Sequence, residues 1–137
     1  MIPPAAERFL AAHTRAFLFT LRADGGPACH PMVAFYRDGA LFMTTYRKSA
    51  KAQSIARDAR VACVVLTADD APTVAGVAVR GRAEVVSADG FSASASAGPP
   101  VAAGRDVASK VQARLAEGKR VVIRIVPEEV RLIGEHR

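Results

Sequence analysis

Thr44-Thr45-Tyr46-Arg47-Lys48-Ser49-Ala50-Lys51 sets hydroxyls and cations just ahead of Ala52-Gln53-Ser54-Ile55-Ala56, a run rich in helix formers. Ser49 has the side chain of an N-cap. Backbone N–H groups without intrahelical acceptors and the positive end of the helix dipole gather at such a start. Thr44, Thr45, Arg47 and Lys51 therefore have the local chemistry of a phosphate site. Arg57 and Arg60 extend the cationic run, with Asp58 as the opposing charge. The same residues would also make an ordinary solvated basic face. Arg80 and Arg82 flank Gly81 in an extended stretch, two residues apart and so on one face of a strand. They could flank an anion or line the outside of a sheet. His30 can act as acid, base or hydrogen-bond donor, and nothing stands at metal-ligand spacing from it, which argues against zinc. His13 and His136 lie near the two ends of the chain. Cys29 and Cys63 both sit in apolar stretches and read as buried, inert thiols. The glycine-rich dinucleotide and P-loop signatures and the nucleophile elbow are absent.

These residues need elements to hold them. Residues 4–13 read as a short amphipathic helix, with proline suited to its first turn. Ala16–Leu21, Cys29–Tyr36 and Ala40–Thr45 read as strands. Asp24-Gly25 and Asp38-Gly39 supply the turns between them, the pattern of an antiparallel meander. Ser49–Arg57 reads as a helix. Val61–Leu66 follows as an apolar strand buried on both faces. Thr73–Val86 is long for one strand, and Gly76 and Gly81 mark bends or bulges in it. A long strand broken by glycine suits a small barrel. Residues 91–104 are rich in Ser, Ala, Gly and Pro and read as a mobile loop. Arg105–Glu117 repeats Val107, Val111 and Leu115 at helical spacing, with Gly118 at the stop. Arg120–Val126 is a last full strand closed by Pro127, and Val130–Ile133 adds a short one.

The chain has 137 residues, the size of one domain, and no internal boundary is visible over residues 1–137. Its 50% hydrophobic content excludes a disordered chain, and no apolar run is long enough to span a bilayer. The first residues carry no secretory pattern, and two cysteines do not make a disulfide scaffold, so a cytoplasmic protein is expected. Nineteen basic against thirteen acidic residues give a net charge of +6. That surplus favours an anionic partner: nucleic acid, a membrane surface or a phosphorylated small molecule. Six Phe, two Tyr and no Trp offer little stacking surface, and no nucleic-acid motif is present, which disfavours nucleic acid.

Phe17-Leu18-Phe19-Thr20-Leu21-Arg22-Ala23-Asp24-Gly25-Gly26-Pro27 resembles the opening of the pyridoxamine 5′-phosphate oxidase-like split barrels. Pro31-Met32-Val33 and Leu41-Phe42-Met43-Thr44-Thr45 stand where that family has its next strands. Ser49 to Val61 resembles its helix signature, with Ser54 where many members have Asn and Ala59 where Pro is usual. Val79-Arg80-Gly81-Arg82-Ala83-Glu84-Val85 resembles its long strand. The closing Val130-Arg131-Leu132-Ile133 lacks the aromatic residue common in the flavin and deazaflavin branches.

The resemblance implies a mainly β fold: a six-stranded antiparallel split β-barrel with two or three short helices, forming a homodimer. It implies FMN or the deazaflavin coenzyme F-420 in a groove at the dimer interface. By position, Thr44, Thr45, Arg47 and Lys51 would hold the cofactor phosphate. Pro31, Met32 and Val33 would lie by the ring, and Arg80 or Arg82 would reach the cofactor from the long strand. The implied activity is an oxidoreductase moving hydride to or from a small conjugated substrate. His30 and Tyr46 are the candidates for proton donation. The basic run suits the polyglutamate tail of the deazaflavin somewhat better than it suits FMN. The alternative is the same barrel holding a flavin, haem or similar ligand without turnover.

Overall fold

The computed structural model describes residues 2–86 and 119–136. Among these described residues two helices, α1 (Pro4–Ala12) and α2 (Ala50–Arg57), accompany seven strands. These are β1 (Arg15–Leu21), β2 (Pro27–Val33), β3 (Phe35–Arg37), β4 (Ala40–Tyr46), β5 (Arg60–Leu66), β6 (Ala75–Val86) and β7 (Arg120–Gly134). All pair antiparallel in one sheet of order β2-β1-β5-β6-β7-β4-β3, curled into a half-barrel.

The count is seven strands, not six, because the expected strand Cys29–Tyr36 is two. Ala34 breaks it: its N–H bonds to Thr14 O at 2.9 Å, and its methyl group is fully buried. The chain before Ala34 pairs with β1 and the chain after it pairs with β4, so the two edges of the sheet come from neighbouring residues. The Asp-Gly turns form as expected. Arg37 pairs with Ala40, and Asp38 and Gly39 both take positive φ, 49° and 78°, as a two-residue hairpin requires.

Alternation along the strands divides the sheet into an inner and an outer face. Leu18, Leu41, Met43, Cys63, Val65, Val77, Val79, Ile123 and Ile125 point inward and are almost wholly buried. Leu10 from α1 and Ile55 from α2 join the same core. Val61–Leu66 is thus buried on one face and half-buried on the other.

Pro127 does not close the last strand; β7 runs through it. The register of β6 against β7 shifts between Arg80 and Gly81, where Gly81 faces Pro127. A proline at a bulge costs no ladder hydrogen bond. Gly81 is required there, since a Cβ would lie 2.1 Å from Val126 O. The expected loop 91–104 and helix Arg105–Glu117 lie outside the described residues.

Candidate functional site

Helix α2 begins where β4 ends, and its start is fully specified. Ser49 Oγ accepts from Ala52 N at 3.1 Å, and Thr45 Oγ1 donates to Ser49 Oγ at 3.0 Å. Ala52, Ser54 and Ile55 are buried, which lays α2 on the sheet. Arg57 Nη2 donates to Leu21 O on β1 at 3.3 Å and fixes the helix alongside that strand. The first turn has no acidic residue, so the positive end of the dipole has no internal counter-charge. Lys51 lies in that first turn, half-buried, and Arg47 and Lys48 precede it, exposed.

Strand alternation separates residues that look contiguous in sequence. Thr45 points inward and is buried, its hydroxyl committed to the cap. Thr44 points to the outer face, where it accepts from Arg120 Nη1 at 3.3 Å. The two threonines therefore serve opposite faces of β4. Met32 packs on the core, while Pro31 and Val33 stand exposed on the outer face of β2. Arg80 and Arg82 are on the outer face of β6, paired with Glu129 at 2.8 Å and Glu128 at 3.9 Å. Their guanidiniums form exposed cross-strand ion pairs on the outer wall.

His30 and Tyr46 also part company. His30 pairs with Leu18 and shares its inner face, with Nε2 3.2 Å from Thr20 Oγ1. Burial, and then the charge of Lys51, hold its pKa below the usual histidine value. Tyr46 is exposed at the end of β4 under the Arg120 guanidinium, which lies 4.5 Å from its ring centroid. Tyr46, Arg47, Lys48 and Lys119 line an open hollow of about 390 Å³ beside the start of α2. Arg47 N donates to Lys119 O at 2.9 Å, joining the two sides.

Arg120, Lys119 and Thr20 were not singled out by the sequence reading. Arg120 meets Tyr46 and Thr44 only through the β4–β7 register, which residue spacing does not reveal. Among the described residues its buried Nε has no hydrogen-bond partner. Cys63 is buried as expected, but Cys29 is exposed, because it projects from the outer face of an edge strand.

Among the described residues no group of three or more His, Cys, Asp or Glu could hold a metal ion, and no helix is long and apolar enough to cross a membrane. A curled antiparallel sheet with a cationic, capped helix start at its rim places the chain among small β half-barrels. Comparison with known proteins narrows the class. The sequence profile of pyridoxamine 5′-phosphate oxidase matches residues 2–134, and the chain belongs to that family. No curated protein matches significantly. Among solved structures, a conserved hypothetical protein from Mycobacterium tuberculosis is 26% identical, with a TM-score of 0.69 over 98% of this chain and 86% of that one. General Stress Protein 26 from Bacillus anthracis is 20% identical, with a TM-score of 0.73 over 93% and 90%. An F420 reductase is 23% identical, with a TM-score of 0.64 over 95% and 98%.

Proposed function

We propose that this protein is a homodimeric oxidoreductase that binds FMN or coenzyme F-420 through its phosphate at the start of α2. The observation that carries this reading is the Ser49-capped helix start, with Lys51 in its first turn and no acidic residue in that turn. Lys51 and the first-turn amides would hold the phosphate, and Arg47 and Lys48 would add positive potential. Thr45 contributes by fixing the cap, not by touching the ligand. The bound ring supplies the hydride chemistry. The protein's own part is to orient that ring and to keep water from it. Pro31 and Val33 offer apolar surface on the outer face, and Met32 packs behind them. His30 and Tyr46 remain the side chains able to carry a proton.

The outer face of β1, β2 and β5 supports a dimer. Phe17, Phe19 and Val64 are only half-buried there, and Cys29, Pro31 and Val33 are exposed. A patch of this chemistry is the usual mark of an interface. Cys29 and Cys63 are free and face opposite sides of the sheet, which suits a reducing, cytoplasmic setting.

The test is to titrate the protein separately with FMN and coenzyme F-420, following fluorescence. Binding of one with Kd of about 1 μM or tighter, near −8 kcal/mol, names the cofactor. Lys51→Glu should weaken that binding at least a hundredfold while circular dichroism stays unchanged. Unchanged affinity in Lys51→Glu would overturn the site. A bound ring that no donor can reduce and no acceptor can oxidise would leave a binding protein without turnover.

A further inference from the structure

We infer that the hollow beside Tyr46 binds a nucleoside phosphate, with the base stacked on the Tyr46 ring and the phosphate held by Arg47, Lys48 and Lys119. This is a second site, and it does not depend on the α2 reading above. Two separate stretches of chain make it. Tyr46, Arg47 and Lys48 come from the end of β4 and the link to α2, and Lys119 comes from just before β7. The β4–β7 ladder brings them together: Tyr46 pairs with Arg120, and Arg47 N donates to Lys119 O at 2.9 Å. The hollow holds about 390 Å³, inside the range of about 300–1,000 Å³ usual for small-molecule sites.

Two chemistries meet in it. The Arg120 guanidinium lies 4.5 Å from the Tyr46 ring centroid and is itself tied to Thr44 Oγ1 at 3.3 Å. It steadies the ring, yet Tyr46 is still 47% exposed, which leaves surface for a planar group. Arg47, Lys48 and Lys119 are exposed cations around the same hollow. None of the residues that line it is acidic, and neither β4, nor the link after it, nor α2 carries a carboxylate. The first carboxylate on β7 is Glu128, which faces Arg82 at 3.9 Å, and Glu84 on β6 pairs with Arg124 at 2.9 Å. A ring alone would suit any planar molecule, and cations alone any anion. Both at one hollow suit a planar group joined to phosphate. A phosphate monoester carries a charge of about −1.5 to −2 near neutral pH, so it answers three cations better than a single carboxylate does. One aromatic ring gives one stacking platform, the need of a single nucleotide and not of an extended strand.

The chain has two tyrosines and no tryptophan, so Tyr36→Phe leaves Tyr46 as the sole emitter. In that variant AMP should quench the emission saturably, and calorimetry on the wild type should give the same Kd. Adenosine, which lacks the phosphate, and ribose 5-phosphate, which lacks the base, should each bind at least tenfold more weakly. Lys119→Gln and Tyr46→Leu should each weaken AMP roughly tenfold with circular dichroism unchanged, and Tyr46→Phe, which keeps the ring, should bind like the wild type. Ribose 5-phosphate as tight as AMP, or AMP unmoved by Tyr46→Leu, would reduce the hollow to a bare anion site and overturn the inference. Absence of saturable AMP binding would overturn it as well, and FMN binding in the same protein would leave the cofactor reading standing. AMP bound by a protein that takes neither FMN nor F-420 would support the nucleotide site and remove the flavin reading. Calorimetry with FMN and flavin adenine dinucleotide separates the two sources of the nucleotide. A dinucleotide bound at least tenfold tighter than FMN, with that advantage lost in Tyr46→Leu, makes the nucleotide one half of a larger cofactor. Equal affinities, with AMP still bound by the FMN-saturated protein, make it a free nucleotide. AMP expelled by FMN with no advantage for the dinucleotide would merge the hollow with the flavin site and overturn the second site.

Discussion

At the scale of single residues, environment sorts side chains that the sequence makes look alike. Cys63 is sealed in the core, where burial pushes its thiol up to about 12, and Cys29 stands in solvent on the outer face of β2. The thiolate is the reactive form. Iodoacetamide at pH 8 should therefore alkylate one thiol per chain of the dissociated monomer, with peptide mapping placing it at Cys29, and the proposed dimer should slow that labelling. Rapid native labelling of Cys63 would contradict its burial. Tyr36 gives a second case. Its hydroxyl donates to Glu7 Oε2 at 2.6 Å, tying β3 to α1. Desolvation, then this bond to Glu7, pushes its phenol up to about 12. A raised acid is favoured in its neutral form, so this tie is fully present below pH 10 and is lost as pH rises toward 12. Absorbance titration should show a late-ionising phenol that Tyr36→Phe removes.

At the scale of elements, the start of α2 and the bulge between β6 and β7 carry the site and the curvature. Ser49→Ala removes the cap and should cost about 1 kcal/mol in chemical denaturation. It should also loosen the ligand site, because Thr45 loses its partner. Gly81→Ala would press a methyl group into the Val126 carbonyl and should cost on the order of 3 kcal/mol. Both features were readable in sequence, as a serine before helix formers and a glycine in an apolar run. Other parts were not. Ala34 carries no breaker signal: it ends a strand because its N–H is taken by Thr14, which only the assembled sheet brings near. Pro127 reads as a stop, and β7 continues because it carries an extra residue, Glu128, in a bulge opposite Arg80 and Gly81. The site divides the same way. Lys51 and Ser49 are local and legible, whereas the Arg120–Tyr46–Thr44 cluster and the Thr20 brace on His30 depend on register. Thr44 and Thr45 show what adjacency hides, since neighbours on a strand face opposite ways.

At the scale of the whole molecule, the apolar outer face bears on assembly. Phe19 sits near its centre, paired across the sheet with Cys29 and Ala62. Phe19→Glu should convert the proposed dimer to monomer in sedimentation velocity while leaving circular dichroism unchanged. If the cofactor groove is shared between protomers, FMN affinity should fall in parallel. A wild-type sedimentation coefficient in that variant would put the interface elsewhere.

The break at Ala34 also bears on how the chain folds. The strands on either side of it are sequence neighbours placed at opposite edges of the sheet. The β1–β2 and β3–β4 hairpins close short loops and can form within microseconds. The β4–β7 ladder must gather residues from far along the chain, and such long-range pairing slows folding. Refolding should therefore pass through two early hairpins joined at Ala34, with the half-barrel waiting on the arrival of β7.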